Sequence, residues 1–165
     1  MLTRLALAVF LAAFAAACAG DSETVARVGG QKISEEDVER LVEHYEEEFE
    51  REGREFPERG SDDYEAAERR VLGLIVFRKQ LEQAASELDI HVAEEEIEER
   101  LEDSAEAAEE AEGEEGEAFF ENAITIQLVR EKVAAKLGGI EPLNDWIAEA
   151  RRSVPVEYEE GWASE

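Results

Sequence analysis

The stretch Val25-Ala26-Arg27-Val28-Gly29-Gly30-Gln31-Lys32-Ile33-Ser34-Glu35-Glu36-Asp37-Val38 changes its local character twice. Thr24 to Val28 and Gln31 to Ile33 are β-prone. Gly29-Gly30 between them gives two positions that adopt positive φ without strain, as a tight hairpin turn requires. Ser34 is then a good N-cap, and Glu35, Glu36 and Asp37 set negative charge against the positive end of a helix dipole. Val38, Leu41, Val42, Tyr45 and Phe49 follow at i, i+3, i+4, i+7 and i+11, which predicts an amphipathic helix ending near Gly53.

Downstream, 54–61 with Pro57 and Gly60 reads as a loop. A second helix is expected from about Asp62. Its residues Val71, Leu72, Leu74, Ile75, Leu81, Ala84, Ala85 and Leu88 cover more than one face, so it is predicted to be the central buried helix. Asp89 to Val92 breaks it. A third helix starts near Glu94 with Ile97 and Leu101, and its stripe fades into Ala105, Ala107, Ala108 and Ala111, so it is expected to project or fray. Gly113 to Gly116 reads as a turn. A fourth helix is expected from about Glu117 to Leu137, stopped by Gly138-Gly139. Pro142 suits the first turn of a fifth, carrying Leu143, Trp146, Ile147 and Ala150. Val154 to Tyr158 is predicted to be extended, and 159–165 a tail.

Upstream, Arg4 precedes an unbroken apolar run from Leu5 to Cys18, shorter than the about 20 residues of a spanning helix. A basic start, a short apolar core and the small residues Ala15, Ala16 and Ala17 predict a secretory signal peptide over 1–17. The run into Cys18 looks like a bacterial lipobox, although Ala15 stands where Leu is usual. Cys18 would then be the lipidated first mature residue, with 18–23 as tether. An ordinary signal cleaved after Ala17 or Ala19 is the alternative. Either implies work outside the cytoplasm.

With 165 residues the chain is long enough for one core without disulfides or metals. Its 44 acidic against 17 basic residues give a net charge of −27. That disfavours nucleic acid and electrostatic docking on anionic lipid, both of which need clustered Lys and Arg. One Cys allows neither an internal disulfide nor a cysteine-based zinc cluster.

The order of these elements resembles the SurA N-terminal domain, shared with PrsA-type foldase lipoproteins and related in fold to the peptide-binding part of trigger factor. The opening from Val25 to Val38 is similar to that family's V-A-x-V-N-G-x-x-I-[ST]-x-x-[DE] start. Leu88-Asp-Ile-His-Val-Ala-Glu-Glu-Glu-Ile97 is similar to its L-G-I-x-V-[ST]-x-x-E-[IV] hinge. Asp89 replaces the family's Gly and tolerates a left-handed turn; Ala93 replaces its capping Ser or Thr. The resemblance runs from Thr24 to Tyr158. It implies a mainly α domain (24–158) of about five helices, with a small two- or three-piece β element pairing the mature N-terminus with the C-terminal strand. The parvulin prolyl isomerase domain that many members carry has no room between Leu137 and Glu141 or after Tyr158, so no enzyme activity is expected.

The resemblance further implies an exported, ATP-independent holdase for unfolded or nascent secreted polypeptides, bound in an apolar groove between the third and fourth helices and the body. Phe119, Phe120, Ile124, Leu128, Tyr45 and Phe49 are the candidate client-binding residues, with core packing as their other reading. An envelope structural or adaptor lipoprotein holding one fixed partner is the alternative. A prolyl isomerase with unrecognised catalytic residues is a third reading. His44 and His91 have no nucleophile or metal-ligand spacing around them and are expected to be packing or surface residues. From Glu94 to Glu117 there are 14 acidic residues and one base, Arg100. Without a D-x-[DN]-x-[DN]-G loop this reads as a solvated, self-repelling helix face, not a calcium site. Neither cofactor nor metal is expected.

Overall fold

The structure, a computed structural model, describes residues 23–102 and 114–163. The leader, Cys18, the stretch from Ala105 to Ala111 and Gly113 lie outside the described residues. The fold is mainly helical: β1 (Thr24–Val28), β2 (Gln31–Ser34), α1 (Glu35–Arg51), α2 (Asp62–Ser86), α3 (Glu94–Glu102), α4 (Glu114–Leu137), α5 (Ile140–Ser153) and β3 (Val156–Tyr158).

The opening stretch folds as its residues dictate. Gly29 and Gly30 both take positive φ, closing an antiparallel β1–β2 hairpin with Val28 opposite Gln31. The amide end of the Gln83 side chain of α2 lies against Gly29, and the positive φ there is what favours glycine. The capping box forms with Asp37 in the role usually taken by Glu: the Asp37 amide donates to Ser34 Oγ at 3.2 Å and the Ser34 amide to Asp37 Oδ2 at 2.9 Å. Burial works against the Asp37 carboxylate, but the bonds from Ser34 and the Arg40 guanidinium outweigh it and hold its pKa low.

β1 is the middle strand, in the order β2-β1-β3, and Val28 and Ala26 face Val156 and Tyr158 of antiparallel β3. The predicted pairing of the N-terminal and C-terminal segments is present. The strand itself is shorter than the expected extended segment, because Val154 ends α5.

α2 lies at the centre. Val71, Leu72, Ile75, Val76, Leu81, Ala84 and Ala85 are buried on several faces and meet β1, α1, α4 and α5. Buried Gln80 donates through Nε2 to the carbonyls of Arg151 and Val154 at 3.3 and 3.2 Å, satisfying its amide and tying α2 to the end of α5. Asp89 adopts φ of 54°, the left-handed turn expected of it. Gly138, also at positive φ, donates to the Ala134 carbonyl at 2.9 Å and ends α4.

Two expectations are corrected. The chain is already helical at Glu114, so Gly116 is no turn residue and is buried inside the first turn of α4. Glu115 and Glu117 in the first turn favour the helix N-terminus, against the about 1 kcal/mol that a helical glycine costs. The described part of the expected tail, 159–163, is held on the body: a turn bonds the Trp162 amide to the Glu159 carbonyl at 3.1 Å, and the Trp162 ring packs on the core.

Candidate functional site

α3 differs from every other helix in having no buried residue. It begins after Ala93, which has no capping side chain, and only the reverse half of a capping box forms: Glu96 Oε2 accepts from the Ala93 amide at 2.9 Å. Polar contacts then clasp it to α4. The Arg100 guanidinium makes two bonds to Glu131, at 3.1 and 2.9 Å. Lys132 pairs with Glu96 and donates to the His91 carbonyl, and Lys136 donates to the Leu88 carbonyl. The bonds from Arg100, and then from Gln127, hold the Glu131 pKa down to about 2. The Ala93 amide and Lys132 likewise lower that of Glu96.

Held in this way, α3 leaves a groove of about 350 Å³ against α2 and α4. Val92, Ile97 and Leu101 give it an apolar wall, and Thr125 of α4 is buried at its edge. Glutamates from three elements line the rest: Glu94 and Glu98 of α3, Glu117 and Glu121 of α4, and Glu82 of α2. Arg78 bonds Glu121 at 2.8 Å and approaches Glu82 at 3.9 Å. Burial raises the Glu82 pKa despite Arg78 and Lys79 nearby.

None of the six residues proposed from sequence lines this groove. Phe119 stacks on the ring of buried His44 at 4.4 Å, with Tyr45 edge-on at 5.4 Å and Phe120 at 5.3 Å. This is an α1–α4 packing cluster, and burial followed by Glu48 raises the Tyr45 pKa. Phe49 sits elsewhere, against Phe56 at 5.2 Å and under the Arg54 guanidinium. Ile124 and Leu128 are 7% and 6% exposed, buried on α4 yet outside the continuous main core. His91 is exposed in the hinge. The sequence signal for the groove was the run Glu94, Ile97, Glu98 and Leu101 at i, i+3, i+4 and i+7, one helical face carrying both carboxylates and aliphatics.

A second concave surface lies between α4 and α5, lined by Ala123, Ile126, Ala134, Ile140 and Leu143 among others, and Ile140 is 72% exposed. Among the described residues no three His, Cys, Asp or Glu side chains are grouped to hold a metal, and no helix is long and apolar enough to cross a membrane.

An N-terminal β-hairpin feeding a capped helix, a central buried helix and a hinge into a loosely held third helix define a chaperone-type helical domain. A family model, the SurA-like N-terminal domain, matches residues 1–125, and the chain belongs to that family. It is a family of chaperone-like folding helpers whose domain is non-catalytic. The match ends inside α4, so α5 and β3 rest on the structure. No curated protein and no solved structure matches the chain.

Proposed function

We propose that the protein is an exported, ATP-independent holdase that keeps unfolded or nascent exported polypeptides from aggregating. It captures them against the apolar wall of the α2–α3–α4 groove. The observation that carries this reading is that groove, built by a helix with no buried residue in a chain of the SurA-like family. Apolar surface gained from a client contributes about 25 cal/mol per Å² whatever its sequence, which suits a binder of many chains. The −27 charge keeps a client-laden molecule from associating with itself. Lipid on Cys18 would anchor it to the extracytoplasmic face of a membrane, with clients released as they fold.

The test dilutes a denatured client into buffer with the purified protein and follows light scattering, with an equally acidic helical protein as the charge control. The protein suppresses aggregation near equal molar ratio and the control does not. Ile97→Asp with Leu101→Asp abolishes suppression while the melting of the body is kept. Scattering no lower than the control's, or an unaffected double variant, would overturn the reading. The adaptor alternative would then lead, supported by exposed Ile140 on the α4–α5 surface.

A further inference from the structure

We propose that the groove is selective, taking client segments in which Lys or Arg alternate with aliphatic residues. This rests on the groove being the client site. Five carboxylates border one apolar wall, and Arg78 is the base that contacts them, at Glu121 and Glu82. Glu94, Glu98 and Glu117 have no basic partner among the described residues. An uncharged apolar segment that covers the wall removes water from these carboxylates and returns nothing. A segment carrying cations replaces that water with ion pairs, while its aliphatic residues take the Val92, Ile97 and Leu101 wall.

The spacing fits an extended chain. Glu94 and Glu98 on α3, and Glu117 and Glu121 on α4, are each four residues apart, a rise of about 6 Å. Side chains on one face of an extended peptide recur every second residue, at about 6.6 Å. Each wall therefore presents carboxylates at nearly the interval at which such a peptide presents alternate side chains. At physiological salt exposed charges more than about 8 Å apart are screened, so the carboxylates at the groove act on a bound peptide more strongly than the remote acidity of the protein does.

The experiment measures fluorescence anisotropy with two labelled peptides, one alternating Lys with Val and Leu and its twin with Gln for Lys. The Lys peptide binds about tenfold more tightly at low salt, a difference of about 1.4 kcal/mol, and the gap narrows in high salt. The triple variant E94Q/E98Q/E117Q loses the preference and keeps its affinity for the Gln peptide. The matched variant E157Q/E159Q/E160Q changes net charge equally at residues that do not line the groove and keeps the preference. Equal binding of the two peptides, or equal loss in both variants, overturns the charge selection while leaving the holdase reading intact. Binding of neither peptide overturns both. Circular dichroism verifies the fold of each variant, whose replaced glutamates are all exposed.

Discussion

The body and α3 are held by different forces. In the body, Val25, Val28, Ile33, Val38, Leu72, Leu81, Val129 and Val133 are nearly or wholly closed to solvent, so water exclusion locks the sheet, α1, α2, α4 and α5 together. α3 has no such residue; its Arg100, Glu96 and hinge carbonyls are clasped to Glu131, Lys132 and Lys136 of α4. Apolar burial is cooperative and costly to undo, whereas exposed ion pairs each contribute about 1 kcal/mol or less. The element bordering the groove is thus the one that opens most readily, as elements that admit ligands usually are.

The contrast breaks first at its strongest point. Leu81→Ala empties a fully buried position on α2 and is expected to destabilise the whole fold by about 2–5 kcal/mol in chemical denaturation. Folded molecules of this variant suppress client aggregation as well as the native chain does. A loss of only a few tenths would show that α2 is not the centre of the core.

Phe119→Ala tests the border between core and site. Loss of the His44 stack and its neighbours is expected to cost about 1–2 kcal/mol, since such ring pairs add about 0.5–1.5 kcal/mol to burial alone. Peptide affinity stays within about twofold. A selective loss of affinity with unchanged stability would return Phe119 to the client surface.

That residue marks where the sequence was legible and where it was not. The hairpin, the Ser34 cap, the central helix and the Asp89 hinge follow from local signals: paired glycines, a capping hydroxyl, apolar spacing and tolerance of positive φ. The facing of α4 does not. Ile124 and Leu128, Val129 and Val133, and Ala123 and Ile126 make it apolar around most of its circumference, so periodicity could not tell which face met α1. His44 supplied the missing constraint, for it drew Phe119 inward by stacking. The groove stayed hidden for the opposite reason, because Ile97 and Leu101 among glutamates on a short helix match the pattern of a solvated face.

A smaller effect separates the clasp from the core. Arg100→Ala removes both bonds to Glu131 and is expected to cost about 0.5 kcal/mol, since the pair is exposed. Amide exchange quickens over 94–102 and stays unchanged over 71–85. Equal quickening in both segments would mean that α3 unfolds only with the body.

The smallest effect lies in pH, because the fold raises some carboxylates and lowers others. Glu68 of α2 is raised above its ordinary 4.5 by burial and then by Glu35, Glu65 and Glu39, with Arg59 opposing. A carboxylate raised in the fold opposes folding while charged, so stability rises as pH falls through its folded pKa and levels off below 4.5. Burial gives Glu82 the same sign. Glu131 is lowered to about 2, so its contribution is complete above 4.5 and disappears as pH falls from there toward 2. Asp37 behaves likewise below its ordinary 3.8 and limits the body's own tolerance of acid. Global stability is therefore expected to climb slightly from neutral pH toward about 4.5 and then fall, with exchange over 94–102 the first to quicken on the acid side. Glu68→Gln, measured by denaturant midpoint against pH, flattens the climb and leaves the acid fall unchanged. A variant that instead shifted the acid fall would place Glu68 among the carboxylates that the fold holds low, against the direction its burial sets.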